Sequence, residues 1–507
     1  MKFLSTSRLA SAASLPLLAA AYVEQPYGVR NAHHPRQVTF APSVASSAPV
    51  AGTPAGTSVA TAPASGVVPH PVSGVAPTSV SGSAVSGVIS GVTSPVATTP
   101  TTTFTFSLAA TNPTAAPLSD IVSTASSSAT IPLPTTFAPG STPSAVSGAP
   151  ALPNAALLSP ANYPALDKIP PTDSDLVKQW IQDVQDSGIT IPDYTPTDPG
   201  GCPNNTAAAA DGNRCWWTCG GCTRQTDVTE CPTAMTWGLT YDDGPAFYTP
   251  NLLSYLDQTN LKSTFFVVGS RVISFPSILQ NEYMSGHQIA VHTWSHPPLT
   301  TLTNEQIIAE LGWSKKVIKD VLGVTPNMMR PPYGDIDDRV RAICAAMGLT
   351  PVMWTRISPT ATFDTDDFNI HGGLSTVQQV LQNWEYIIAN ATTMHNGFIV
   401  LEHDLFQQSV EVATGYILPD AMAHQPPFTI QPVISCLNKP LTDAYIETND
   451  NKTNPPAASG VAIAGATSSA GAGGHGNSGS SLRLSTELLA GSLTAVTGLA
   501  AGLVMLL

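Results

Sequence analysis

Between residues 235 and 445 the chain alternates short unbroken apolar runs with stretches whose apolar positions recur every three or four residues. The runs MTWGLTY, STFFVVG, HQIAVHT, NMMRPP, PVMWT and GFIVLEH are too short for helices and read as buried strands. The intervening PNLLSYLDQ, FPSILQNEYMS, NEQIIAELGWSKKVIKDVLG, DIDDRVRAICAAMG and TVQQVLQNWEYIIAN carry the helical period. The longest opens on a capping box, Thr303 with Gln306. It sets Ile307, Leu311, Ile318 and Leu322 on one side and stops at Gly323. Ser375 and Gln378 predict a similar box at the start of the last helix. Strands alternating with helices imply parallel βα units, and therefore an α/β barrel or a doubly wound sheet.

Composition divides the remaining chain. Much of the 507-residue sequence has nothing large to bury: residues 22–160, and 41–160 above all, are dominated by Ser, Thr, Pro, Ala, Val and Gly and read as an extended, O-glycosylated stalk. Residues 1–21 pair Lys2 and Arg8 with an apolar run and the small residues Ala19 and Ala21, the pattern of a secretory signal. Residues 446–477 form a Gly/Ser/Ala-rich linker. Residues 478–507 end in an uncharged apolar tail with no Lys or Arg after it, which favours a glycolipid-anchor signal over a membrane span. Asn477, beside Ser478 and Gly479, is the expected attachment site. The mature chain is thus expected on the outer face of the plasma membrane and in the wall.

Seven cysteines fit that compartment. Cys202, Cys215, Cys219, Cys222 and Cys231 crowd a lead-in at 161–232, with Cys344 and Cys436 far downstream. Disulfides are favoured over zinc ligation by Cys215, Cys219 and Cys222; the pairing stays open, and an odd count leaves one thiol unpaired or bridging outward. Asn204, Asn390 and Asn451 each have Thr two places on and are expected glycosylation sites. A net charge of −14 argues against a nucleic-acid partner.

Candidate chemistry lies at the ends of the expected strands. Asp242 and Asp243 follow the first, His292 and His296 the third, Arg330 and Tyr333 the fourth, and His403 closes the last. In a parallel barrel these carboxyl ends share one face, so residues scattered along the sequence can converge there. Alone, DDGP is also a good turn sequence, and the two histidines are followed at once by Pro297 and Pro298, so they belong to a strand end and loop rather than to a helix.

Together the motifs TYDDGP, GHQIAVHTWSH, RPPYGD and LEH resemble, in order, the polysaccharide deacetylases of carbohydrate esterase family four, most closely the fungal chitin deacetylases. The resemblance covers roughly residues 233–445 and implies a distorted, incomplete (β/α) barrel of NodB type. It implies Asp243, His292 and His296 as ligands of a divalent metal, zinc or cobalt, a set whose chemistry suits zinc and leaves positions open. It implies Asp242 as general base, Arg330 as its paired cation, the backbone N–H of Tyr333 as oxyanion donor and His403 as the acid that protonates the leaving amine. The family's DxxDW motif is altered: DxxDF, Asp364 to Phe368, arrives only after an insertion, and Asp364 is the residue expected to orient the catalytic histidine. Trp216, Trp217, Trp354 and Phe363 are candidates for stacking on sugar faces. The expected substrate is chitin or a chito-oligosaccharide, turned over by a monomer. The alternatives are partly deacetylated chitosan, another acetylated glycan, or a wall-anchored glycan-binding mannoprotein without turnover.

Overall fold

A computed structural model describes residues 106–358 and 361–449. The signal, the stalk as far as residue 105, most of the linker, Asn451, Asn477 and the anchor signal lie outside the described residues. Among the described residues, no helix is long and apolar enough to cross a membrane.

The first apolar run makes one strand interrupted at Leu239, giving β1 (Thr236–Gly238) and β2 (Thr240–Asp242). The break hands the strand from one set of neighbours to another. β1 lies between β9 (Phe398–Ile399) and β10 (Thr429–Gln431). β2 starts a parallel sheet that continues through β3 (Thr264–Val267), β4 (Gln288–Val291), β5 (Met328–Met329) and β6 (Thr350–Pro351). Leu239 itself bridges the two, its N–H donating to Gln431 O and its carbonyl accepting from Thr264 N. Parallel neighbours joined through helices require both faces covered, which is why these strands read as continuous apolar runs.

An irregular stretch closes the ring. Thr355 N donates to Ile399 O, Phe363 N to Thr355 O, and Leu401 N to Phe363 O. The sequence insertion becomes an antiparallel hairpin, β7 (Arg356–Ser358) with β8 (Ala361–Thr362). Because the hairpin folds back on itself, Phe363 returns to the position that Thr355 left, and the residues after it continue along β9. The fold is therefore the α/β barrel, distorted at this stave, that the sequence implied.

The long helix Asn304–Leu322 has the expected capping box at Thr303 and Gln306 and ends at Gly323 with φ +83°. The helix Val377–Ala391 starts one residue later than expected. Thr376, rather than Ser375, is its N-cap, and its hydroxyl accepts from Gln379 N at 3.2 Å.

The stalk boundary is corrected. From residue 106 to about 160 the chain has almost no regular structure, but it is not a free stalk: Ile121, Val146 and Leu152 are buried in the core. This strap crosses successive helices. Ala109 N donates to Asp420 Oδ1 at 2.6 Å, Asn112 N to Gly415 O at 2.8 Å, Gln408 Nε2 to Val122 O at 3.0 Å, and Asn281 Nδ2 to Thr135 O at 2.6 Å. Composition misled because small residues and prolines can follow a surface through backbone hydrogen bonds while burying only a few aliphatic side chains. Further on, Tyr163 stacks on Trp294, and Trp180 of the helix Asp175–Asp186 fits against Gly312, where a Cβ would lie 2.3 Å from the indole.

Three disulfides form, Cys202–Cys219, Cys215–Cys222 and Cys231–Cys436, and Cys344 is the buried free thiol. Zinc ligation by the lead-in cysteines is thereby excluded. A chain begun after residue 160 is expected to lose roughly 5 kcal/mol of unfolding free energy, the worth of the burial that Ile121, Val146 and Leu152 supply. Urea denaturation followed by tryptophan fluorescence checks this; an unchanged midpoint would show the strap to be dispensable.

Candidate active site

The strand ends converge as a parallel barrel requires. Asp242 ends β2, with its N–H donating to Glu402 O and its carbonyl accepting from Asp404 N. That pairing on the β9 side brings His403 next to Asp242 across the ladder. Asp243 then turns into the left-handed region, φ +78°, which sends its side chain into the mouth of the barrel.

Asp243, His292 and His296 bring three ligand atoms within 4.8 Å of one another. Asp243 Oδ1 lies 3.3 Å from His292 Nε2 and 3.1 Å from His296 Nε2. Despite these approaches Oδ1 is buried without a hydrogen-bond partner. His292 Nδ1 lies 2.7 Å from the Arg330 carbonyl, so Nδ1 carries the proton and Nε2 presents its lone pair. Two imidazole nitrogens and an orphaned buried carboxylate oxygen fit a divalent metal such as zinc. Burial would raise the Asp243 carboxyl, but the imidazoles of His296 and His292 outweigh it and hold the group well below the usual carboxylate range.

The loop between the two histidines is held from behind. Glu310, on the long helix and fully buried, accepts from Trp294 N at 2.7 Å and Ser295 N at 2.9 Å through Oε2, and from Ser295 Oγ at 2.5 Å through Oε1. Burial pushes this carboxyl up to about 7, against the pull of those hydrogen bonds. Nothing in the sequence marks Glu310, because a Glu inside an amphipathic helix ordinarily faces water.

Asp242 turns one oxygen to a cation and the other toward the site, with Oδ2 3.9 Å from His292 Nε2. Its Oδ1 accepts from Arg330 Nη1 at 2.7 Å. The guanidinium is wholly buried, also donates to Thr240 Oγ1 and Val352 O, and lies 4.2 Å over the Phe266 ring. The adjacent carboxylates thus differ in their nearest partners, a cation at 2.7 Å for Asp242 and two imidazoles at 3.3 and 3.1 Å for Asp243.

Tyr333 sits in the turn Pro332–Gly334 with φ +59° and ψ +10°. Its ring packs on His296 with centroids 4.7 Å apart. His403 lies four residues beyond β9, bridged to Asp242 in the ladder.

The orienting residue is corrected. Asp367, not Asp364, holds His403, with Oδ1 2.8 Å from Nδ1 and Oδ2 accepting from His403 N at 2.9 Å. Asp364 bridges to Leu401 in the ladder and accepts from Asp366 N at 2.8 Å; burial, with Asp366 nearby, pushes its carboxyl up to about 7. DxxD offers two aspartates, and the ladder register leaves the first level with Leu401, two residues short of His403, and turns the second onto the ring. For His403 itself burial favours the neutral ring, yet the Asp367 carboxylate, by charge and by hydrogen bond, pushes it up to about 10.

These groups open into a cleft of about 1510 Å³ that runs from Ile169 and Pro199 to Gln379 and Tyr386. Trp216, Trp217 and Trp354 line it but are nearly buried, so they pack more than they present a face; Phe363 is wholly buried. Of the acceptor asparagines, Asn204 is exposed and Asn390 half-buried, and the amide nitrogen of each donates to a backbone carbonyl, Pro199 O and Tyr386 O.

Residues 229–352 match the family model for polysaccharide deacetylase. Chitin deacetylase 1 of Cryptococcus neoformans var. grubii is 56% identical over 340 residues, 66% of this chain and 71% of its own. The chitin deacetylase of Amylomyces rouxii is 40% identical over 238 residues, 42% of this chain and 54% of its own length. The solved chitin deacetylase of Colletotrichum lindemuthianum aligns with 45% of this chain and 98% of its own, at 24% identity and a TM-score of 0.39. With more than half its positions shared across two thirds of such a relative, and the strand-end aspartates and histidines gathered in one cleft, the chain belongs to the polysaccharide deacetylases and is a hydrolase of that class.

Proposed function

We propose that the protein deacetylates chitin, hydrolysing the N-acetyl amide of N-acetylglucosamine units to acetate and a free amine. The observation that carries this is the placement of two differently partnered aspartates opposite an Asp-paired histidine in one cleft. The cleft's volume suits several sugar rings rather than one small molecule. The relatives' names supply the polymer.

Asp243, His292 and His296 would hold zinc, or cobalt in its place, and the bound cation would supply Lewis-acid charge at the reacting carbonyl. Asp242 takes a proton from the attacking water. Arg330 fixes that carboxylate, setting a full positive charge 2.7 Å from its Oδ1. The backbone N–H of Tyr333 donates to the oxygen on which negative charge develops. His403, kept protonated by Asp367, delivers a proton to the departing nitrogen, which leaves poorly as an anion. Water therefore loses its proton on one side of the cleft, and the amine gains one on the other.

On this reading the mature chain works outside the cell, held by a lipid attached around Asn477, with Asn204, Asn390 and Asn451 as glycan acceptors. The three disulfides suit that compartment.

Three outcomes are expected. Asp242→Asn retains stoichiometric zinc while acetate release from chitin oligomers falls by roughly 10²–10⁴; turnover near wild type would remove Asp242 as base. His292→Ala abolishes metal binding and Glu310→Ala weakens it by about 10–100-fold, read by competition with a chromogenic chelator; unchanged affinity in the first would sink the ligand assignment. His403 acts in its protonated form, so activity is lost as pH rises through its pKa; Asp367→Asn removes what raises that pKa and moves the alkaline limb to lower pH. An alkaline limb that stays in place would dissociate it from His403.

A further inference from the structure

The lead-in carries a tripeptide, Trp216-Trp217-Thr218, flanked on both sides by cysteines. Cys215 pairs with Cys222 and Cys219 with Cys202, so both ends are cross-linked. Arg341 adds a third restraint, donating to Cys215 O at 2.7 Å and Cys222 O at 3.1 Å while paired with Asp227. The tripeptide lies outside the segment that matches the deacetylase family model.

What it grips is a buried carboxylate between two loops of the site. Asp335 Oδ1 accepts from Trp216 Nε1 at 2.7 Å and Thr218 Oγ1 at 2.9 Å. Its Oδ2 accepts from Thr300 N at 2.8 Å and Thr300 Oγ1 at 2.7 Å. Asp335 is two residues beyond Tyr333, and Thr300 is four beyond His296, so one side chain joins the lead-in to both loops. Trp217 completes the grip: its backbone N–H donates to Ile336 O at 2.9 Å, and its ring fills the space over Gly334, where a Cβ would come within 2.3 Å. The turn so held keeps Tyr333 left-handed, a conformation that a tyrosine retains only where its surroundings over-determine it.

We propose that Trp216-Trp217-Thr218, clamped between its two disulfides, is a latch that positions the Tyr333 turn for the reaction through Asp335. These are positioning residues, and the inference rests on the reading of Tyr333 as oxyanion donor. Loosening the latch lets the turn relax, so the N–H loses its aim while the metal ligands and the cleft stay in place.

The test uses the secreted, zinc-loaded ectodomain with Trp216→Phe, which removes only the indole N–H and part of the ring, and Thr218→Val, which removes only a hydroxyl. In each, kcat on chitin oligomers is expected to fall about fivefold or more, because a small displacement of a charge-stabilising donor is costly. KM and zinc stoichiometry hold, and amide hydrogen exchange quickens over 333–336 but not over 304–322. Unchanged exchange and kcat in both variants would overturn the latch, as would a loss of kcat matched by an equal loss of zinc. If the wild type releases no acetate from chitin oligomers, the functional reading fails instead; exchange over 333–336 and hydrolysis of 4-nitrophenyl acetate then still decide the latch.

Discussion

The site turns on one buried cation. Arg330 is sealed from water, and a guanidinium so placed is tolerable only with its donors matched. Asp242, Thr240 and the Val352 carbonyl match them, and Phe266 lies beneath the plane. The same residue's carbonyl accepts a hydrogen bond from His292 Nδ1–H, and its N–H donates to Val291 O. Its side chain therefore holds Asp242 while its backbone fixes the tautomer of His292. Removing either charge of the Arg330–Asp242 pair would strand the other, at a cost of about 3–5 kcal/mol. The parallel order β2-β3-β4-β5-β6 is what lets one arginine at the end of β5 reach both.

The catalytic loops share a mode of construction. Glu310 holds the His292–His296 loop, Asp335 the Tyr333 turn, and Asp367 the His403 backbone and ring. Each is a buried carboxylate that accepts backbone or side-chain donors from a loop with little regular structure of its own. A carboxylate offers several acceptor sites on a short rigid stem, so one residue can pin two strands of a loop. Loop shape is set by contacts between segments, Glu310 reaching in from the long helix and Asp335 reaching out to Trp216, Thr218 and Thr300.

That is why the sequence revealed the chemistry more readily than its supports. Asp242, Asp243, His292, His296, Arg330 and His403 announce themselves by residue type at the ends of apolar runs, and the alternation of period announces the barrel. The supports act across long separations that no local pattern records: Glu310 reads as one more polar position of an amphipathic helix. Between Asp364 and Asp367 the letters are equivalent, and only the fold-back of the β7–β8 hairpin decides which meets His403. The strap failed differently. Low complexity implies little to bury, but Ile121, Val146 and Leu152 suffice when prolines and small residues let the backbone lie flat between them.

The strap also has a mechanical meaning. Tension applied to the chain at Phe106 meets the contacts of Ala109 with Asp420 and Asn112 with Gly415 before it meets any strand. Load would be spent peeling an irregular ribbon from the helices, one hydrogen bond at a time. Pulled from this end, the hydrolase would shed its strap while Asp242, Asp243, His292, His296 and His403 kept their register.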